Sequence, residues 1–562
     1  MVISEERVSL FEQLAGRYPS TVAAFSSMPG GERALHAVIE LERRWIALSK
    51  GNSRSKPFTF VKDEDSLPEC PPEARYDVVI AGGGLGLVAG AALARRGLKV
   101  LVFDKQGVGE AHREWNISER ELQSLVRHGI FTHEELSRAV GTRYARGLIS
   151  FDATNTGVPA CPLQLQGVLD VALDAQAVLD LARAKFLQAG GTILEGRAFR
   201  TLHIAQGGPV ASVFEVEGPQ GIELYQTRLA IDTMGSVSPI AVGLNGGLPF
   251  DGVCPTAGTV VEGLDGDPSV GDVLVSVAPA SEGRQLIWEG FPGRGGETTV
   301  YLFYYDRTGA KEAEGQSLLW LFERYFNLLP TYRKPMGGGQ YRHLRPVFGY
   351  IPARYGRSGR TAARGLLCLG DAAAGQSPLT FCGFGSFVRH IGRFAALISF
   401  ALKHDLLEES NLREISPHQA NLRVAWVFSR FMQPWPGSGP AATNRLMNVF
   451  CRALGDVGPK TTVRFLQDRY TLDEYLRIML TTARHYPGVF ALTSRVLGPL
   501  GLLKWAGDLS AFAVDDAARW LHKLIGYKRW KRLERLAERA SPAIALKLVA
   551  KRSGWGLMRD EM

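Results

Sequence analysis

Ala81-Gly82-Gly83-Gly84-Leu85-Gly86 stands between a short β-branched run, residues 76–81, and an Ala-rich segment, residues 88–96. Glycines at a strand-to-helix turn let backbone N–H groups approach a pyrophosphate, and the helix N-terminus then favours its negative charge. Asp104 ends the next apolar run, twenty-two residues after Gly82, where a carboxylate binds ribose hydroxyls; Lys105 follows it. An acid at this point disfavours the 2′-phosphate of NADP. The third glycine of the G-x-G-x-x-G pattern is replaced by Leu87, but Gly86, Gly90 and Ala94 recur every four residues and offer a small helix face for close packing. A second signal is the apolar run Leu366-Leu367-Cys368-Leu369, which ends in Gly370-Asp371 and is followed by Pro378, Gly383, Gly385 and a helical pattern. Such a Gly-Asp lets the carboxylate hold a ribitol chain, and the following turn walls an isoalloxazine. Each signal alone is also an ordinary turn. Together, in this order, they select FAD. No second Gly-rich βαβ follows, so a reductant such as NADPH would come from outside or bind without this motif.

These motifs need a large α/β scaffold, and the chain provides one. It has 562 residues, 45% hydrophobic and 22% charged, with 63 glycines. That excludes a disordered or collagen-like chain. The expected architecture is a Rossmann-type FAD-binding domain with an inserted antiparallel β-sheet substrate domain and a mostly helical C-terminal region. Residues 1–70 read as a helical extension and linker. Residues 71–250 read as the first part of the FAD-binding domain, 251–355 as the antiparallel substrate sheet, 356–410 as the second FAD-binding part, and 411–562 as the helical region with a basic tail. Cys70, Cys161, Cys254, Cys368, Cys382 and Cys451 are scattered without a C-x-x-C pair, which implies reduced thiols and no structural zinc. Acidic residues near the start and the lack of an apolar run there argue against a signal or transit peptide. No uncharged apolar stretch of about 18 residues is present, so no spanning helix is expected.

Several segments resemble one family. They are residues 76–105, Arg113-Glu114-Trp115-Asn116-Ile117-Ser118, Ile231-Asp232-Thr233-Met234-Gly235, Arg345-Pro346-Val347-Phe348-Gly349-Tyr350, residues 370–389 with Gln376-Ser377-Pro378-Leu379, and residues 444–468 ending Phe465-Leu466-Gln467-Asp468. Over roughly residues 75–510 the chain resembles the Cru-type lycopene cyclases of bacteria and their cyanobacterial and plastid paralogues. These lie within the lycopene cyclase, geranylgeranyl reductase and flavin hydroxylase superfamily. The resemblance implies that Gly82, Gly83, Gly84, Leu85, Gly86, Asp104 and Lys105 hold the ADP half of FAD, and that Gly370 and Asp371 hold its ribitol and pyrophosphate. It also implies that Asp232 and Gly235 form a strand-end turn beside the flavin, that Pro378, Gly383 and Gly385 wall its reactive edge, and that Arg113, Glu114 and Asn116 lie near it.

The activity so implied is an isomerisation. A general acid protonates a terminal double bond, the cation closes a six-membered ring, and a base removes a proton; reduced flavin supplies negative charge rather than hydride. The acid must be a carboxyl group held protonated by burial. Plant-type lycopene cyclases place it in a Phe-Leu-Glu-Glu-Thr strand, whereas the comparable strand here reads Val300-Tyr301-Leu302-Phe303-Tyr304-Tyr305-Asp306. Two candidates follow: Glu289 in the neighbouring strand and Asp306 at the end of the aromatic one. Either is equally readable as a solvated strand edge or a turn. Trp288, Phe303, Tyr304 and Tyr305 have π faces suited to a cation, with 303 and 305 on one side and 304 on the other.

The net charge is +9, and residues 527–552 hold nine Lys/Arg against two Glu. Trp530, Leu533 and Leu536 lie among these charges, a pattern suited to an anionic membrane surface. No recognition motif points to nucleic acid. The expected partners are an apolar polyene or isoprenoid and a membrane surface, in a cytoplasmic, peripherally attached protein. The competing readings are an FAD-dependent prenyl reductase or monooxygenase, and a flavoprotein paralogue that does not cyclise.

Overall fold

The structure, a computed structural model, describes residues 10–51, 56–111, 115–309, 311–356, 359–377, 379–380, 383–415 and 421–555. Two large sheets organise it. The first has a parallel centre in the order Thr192–Glu195, Val100–Asp104, Arg75–Ala81, the end of Gly221–Asp232, and Leu366–Cys368. The Gly221–Asp232 strand does two jobs, and its burial follows them. Its exposed first half forms a hairpin with Ser212–Gly218, and its buried second half lies inside the parallel sheet. Parallel strands covered on both faces are near-continuously apolar, as Val78, Val79, Ile80, Leu101 and Val102 are here, all fully buried.

The helix Leu85–Ala94 is buried along almost its whole length, so it must be apolar all round. It packs on the sheet through its glycines. A Cβ at Gly86 would lie 2.5 Å from Thr233 Oγ1, and one at Gly90 would lie 2.9 Å from Val102 Cγ2. Leu87 points instead into the core shared with the helix Gly383–Lys403. The close approach normally given by a third glycine is therefore supplied by the Gly86/Gly90 face.

The second sheet runs Leu163–Leu165, Arg146–Ser150, Val270–Val275, Ile287–Pro292, Thr298–Phe303, Gly252–Glu262, with Arg342–Ala353 beyond. Two expected boundaries change here. Arg146–Ser150 and Leu163–Leu165 belong to this sheet rather than to the first domain, because Arg146–Ser150 pairs in parallel with Val270–Val275. The sheet is accordingly mixed rather than purely antiparallel. The expected linker also contains a strand, Phe58–Val61, which edges the first sheet beside Ala198–Ala205. It is too short and too exposed to carry an apolar signal.

Alternation along the second sheet sorts its aromatic residues between two faces. Trp288, Val300, Leu302 and Tyr304 face the helix Leu318–Tyr332 and the N-terminal helices Pro19–Ser27 and Gly31–Ser49. Trp45 stacks on Tyr350 at 4.4 Å, and Phe25 meets Phe322 edge-on at 5.0 Å. Ile287, Phe291, Tyr301, Phe303 and Tyr305 face the other way, toward the C-terminal helices Leu422–Phe431, Ala442–Val457, Pro459–Leu466 and Leu472–His485. Cys70, Cys161, Cys254, Cys368 and Cys451 are free thiols; Cys382 lies outside the described residues.

Candidate active site

The carboxyl ends of the parallel strands bring the two glycine motifs together. Gly82 has φ +110°, and a Cβ there would lie 2.7 Å from the Thr233 backbone; Thr233 Oγ1 donates to the carbonyls of Ala81 and Gly82. Gly84, which opens the helix, has nothing within 4 Å of a Cβ position. This is a cradle that a side chain would fill, in front of a helix N-terminus whose first amides lack intrahelical partners. Asp104 is held by the amides of Gly83 at 2.7 Å and Gln106 at 3.0 Å. Both oxygens keep lone pairs for ribose hydroxyls, and the residue is partly open to solvent. Lys105 is exposed beside it.

Gly370 has φ +60°, and its Cβ position lies 3.5 Å from Leu85 Cδ1, so the Gly-Asp turn abuts the start of the glycine-rich helix. A Cβ at Gly383 would lie 3.5 Å from Asp371 Oδ1. The residues present would fit an FAD: open space before Gly84 and the carboxylates of Asp104 and Asp371 lie by the ends of the parallel strands, where a pyrophosphate, a ribose and a ribitol would need them. Asp232 is a support of that crevice. It is fully buried, accepts from Ser238 Oγ at 2.6 Å and from the Met234 amide at 2.9 Å, and burial pushes its carboxyl up to about 6. Gly235, at φ +84°, turns the chain after it. Arg113, Glu114 and Pro378 lie outside the described residues.

Three of the family-like segments converge next to this crevice. Ser118 and Glu121 form the capping box of the helix Glu119–Arg127. Glu121 is buried and accepts from Arg389 Nη1 at 3.2 Å, and a Cβ at Gly385 would lie 2.5 Å from its carboxylate. Gly385 thus lets the Gly383–Lys403 helix close on Glu121, and a side chain there would make the Glu121 carboxylate shift. Arg389 also donates to the Gln467 carbonyl, one residue before Asp468. Asp468 is 3% exposed and sits in the left-handed region, φ +54°, which costs energy for a residue with a side chain. Asn421 Nδ2 donates to its carbonyl at 2.7 Å. Burial raises its carboxyl to about 7; Arg389 and a hydrogen bond with Ser377 oppose the rise, and Glu121 adds to it. Asn116 accepts from Tyr144 OH at 3.3 Å on the same side of the molecule.

Ser377 belongs to the turn that follows Gly370-Asp371. Two residues on, the Leu379 carbonyl accepts from Tyr305 OH, and Gln376 Nε2 donates to the Pro352 carbonyl at 2.9 Å. One short turn therefore touches the buried acid Asp468 and the aromatic face of the second sheet. The sequence places Asp468 inside a family-like segment but does not mark it as an acid. Its neighbours Ser377, Arg389 and Glu121 come from distant parts of the chain, and the burial that raises its pKa arises only in the folded structure.

The two sequence candidates separate. Glu289 is half-buried and pairs with Tyr301, between Ile287 and Phe291, and so lies on the aromatic face. It acts on the buried Cys254 thiol, whose pKa is raised by burial and then by Glu289 and Asp306. Asp306 is held by the Arg307 amide at 2.8 Å and by Gln316 Nε2 at 3.0 Å, and Gln316 in turn accepts from Trp45 Nε1 at 2.8 Å. It ties the sheet to the N-terminal helices. Trp288 likewise stacks on Tyr332 at 4.7 Å on that outer face. Asp306→Ala is expected to lower stability by roughly 1–2 kcal/mol through loss of a buried acceptor, read as a lower thermal midpoint with flavin content unchanged.

No protein-family profile matches the chain. No curated protein matches it either. Solved structures do. A geranylgeranyl bacteriochlorophyll reductase-like protein from Thermoplasma acidophilum superposes with a TM-score of 0.53 at 16% identity, covering 75% of this chain and 99% of that one. A variant of the halogenase PltM in complex with FAD gives 0.49 at 15% identity, covering 86% and 96%. Aklavinone-11 hydroxylase with FAD and aklavinone gives 0.45 at 15% identity, covering 66% and 72%. The fold is that of the Rossmann-type FAD-dependent oxidoreductases, an α/β fold with a helical C-terminal region.

Proposed function

We propose that this chain is an FAD-dependent carotenoid cyclase that closes end rings on lycopene by protonation. The observation that carries the proposal is the pair Ser377 and Leu379: Ser377 bonds a buried acid whose pKa is raised to about 7, Asp468, and the Leu379 carbonyl accepts from Tyr305 on the aromatic face of Tyr301, Phe303 and Tyr305. A cyclase needs a neutral acid facing an apolar, π-rich cavity; a hydride-transfer enzyme does not need the acid.

The residue roles follow. The residue 82–86 turn and its helix hold the pyrophosphate, Asp104 the ribose and Asp371 the ribitol. FAD, when bound in its reduced form, supplies negative charge that stabilises a nearby cation. Asp468 carries the proton on its carboxyl and gives it to the terminal double bond, with Arg389 and Ser377 positioning it. Tyr301, Phe303 and Tyr305 exclude water and turn π faces toward the carbocation. Glu289, on the same face, takes the ring proton. One proton is added and one removed, with no net oxidation.

A second reading is an FAD-dependent prenyl reductase or monooxygenase. It is favoured by the fold likeness to the geranylgeranyl reductase-like protein, which spans nearly all of that chain. The discriminating experiment expresses the chain in a bacterial host that accumulates lycopene and separates the extracted pigments. Cyclic carotenes from wild type, reduced by Asp468→Asn and Glu289→Gln but not by Asp306→Asn, support the cyclase and its assignments. Untouched lycopene with a yellow, FAD-loaded protein sinks the cyclase. NADPH or oxygen consumption with isoprenoid substrates then decides for the second reading, and its absence leaves a non-cyclising paralogue.

A further inference from the structure

The helix Val489–Ile525 breaks at Gly498, with φ +64°, and runs on from Pro499. Its outward face beyond the break is unusual. Leu500, Leu503, Gly507, Ser510, Val514, Ala517, Leu521 and Leu524 are all exposed, and all are uncharged. They recur every three or four residues and so form one stripe, about 36 Å long at 1.5 Å per residue. The leucines and the valine on it are 54–83% exposed. The inward face holds Asp508, Phe512 and His522, with Asp508 accepting from Trp426 Nε1 at 3.2 Å. Phe512, with Trp505 and Leu509 beside it, packs on the aromatic core, so the stripe is a second apolar face on the side where a water-facing helix is polar.

The stripe ends at the Gly526 turn, with φ +79°, where the helix Tyr527–Ala540 begins. The second helix is fastened to the first by His522 and Trp530, whose rings meet at 4.3 Å. Its acid Glu534 is turned inward, in a buried pair with Arg552 at 2.6 Å. Lys528, Arg529, Arg532, Arg535 and Arg539 remain outward, and Leu533 and Leu536 lie exposed among them. Among the described residues, no helix is long and apolar enough to cross a membrane.

We infer that these two helices form a docking surface for an anionic lipid bilayer, with the leucine stripe entering the acyl boundary and the cationic helix meeting the headgroups. Charge selects this occupant. The five outward cations beside the stripe complement an anionic leaflet, whereas the stripe of a second copy offers them no acid to pair with. The inference holds whatever the reaction is.

The test is co-sedimentation of the full chain with phosphatidylcholine vesicles, with and without phosphatidylglycerol. Wild type should bind the phosphatidylglycerol vesicles about tenfold or more tightly than phosphatidylcholine alone, with the preference shrinking in high salt. Leu500→Ser, Leu503→Ser, Leu521→Ser and Leu524→Ser combined should lose binding to both, with unchanged circular dichroism and flavin content. Arg529→Glu, Arg532→Glu and Arg535→Glu combined should lose only the preference. Wild-type protein that stays in the supernatant with both vesicles overturns the inference. So does a serine variant that binds like wild type, a charge-reversed variant that keeps the preference, or a solution dimer that the serine substitutions dissociate.

Discussion

Asp468→Asn should lower cyclisation by about 10²–10⁴-fold, the usual range for removing a positioned general acid, with FAD still bound. The pH profile separates this from a structural role. The acid works while protonated, so the high-pH limb of wild-type turnover should begin at about 7, where Asp468 titrates, and fall about tenfold per pH unit above it. Ser377→Ala removes a hydrogen bond that favours the ionised form, and should move that falling limb to higher pH. A merely structural Asp468 would leave the limb in place in both variants. Stability carries a second signature. Between the ordinary aspartate pKa of about 4 and about 7, the folded state holds a proton the unfolded chain has released. Wild type should therefore lose stability across that window as pH rises, and level off above it. Asp468→Asn should flatten the curve, which thermal midpoints measured from pH 5 to pH 8 would show.

Gly84→Val should leave the purified protein colourless. The space in front of Gly84 is open, with nothing within 4 Å of a Cβ position there; valine would fill the volume in which the proposed pyrophosphate would sit. FAD affinity should fall at least about a hundredfold, read from the 450 nm to 280 nm absorbance ratio and from equilibrium titration. The folded chain should survive at a smaller cost, because nothing is displaced and only the ψ of −103° at Gly84 is unfavourable for a β-branched residue. Gly82→Ala should behave oppositely: its Cβ strikes the Thr233 backbone at a positive φ, so the loss should appear first as a lower thermal midpoint even without FAD. Equal thermal losses in both variants would remove the distinction between cradle and hinge.

The residues proposed to hold FAD were readable as a group because their constraints are local. Gly82 at a positive φ, Gly84 beside open space and Asp104 at a strand end are each fixed by a few neighbouring residues, and a strand–turn–helix pattern displays them. Gly370-Asp371 was readable for the same reason. The acid was not. Asp468 looks like any helix-end aspartate until Ser377, Glu121 and Arg389 close around it, and those contacts span long stretches of chain. The Arg146–Ser150 strand was not readable, and its residues fell within the first FAD-binding range, because only parallel pairing with Val270–Val275 defines it. The leucine stripe was hidden for a third reason: an apolar face at helical spacing ordinarily packs inward, and nothing in the spacing tells which side the rest of the chain will cover.

The parallel sheet also sets an order of events on the ribosome. Its central strand, Arg75–Ala81, leaves early, but the strand that closes the far side, Leu366–Cys368, emerges roughly 290 residues later, on the order of 15–60 s at ordinary rates of synthesis. Until then one flank of Ala230, Ile231 and Asp232 has no β partner. The ribitol acid Asp371 leaves the tunnel only after that strand. The nascent chain therefore carries an exposed apolar strand edge from residue 232 to residue 368, about a quarter of its synthesis, and on the proposed assignment it cannot capture FAD until the sheet is complete. A cell making this protein must shield that edge, and a release arrest placed before residue 366 should yield a chaperone-bound, flavin-free chain, whereas one placed well past residue 403 should not.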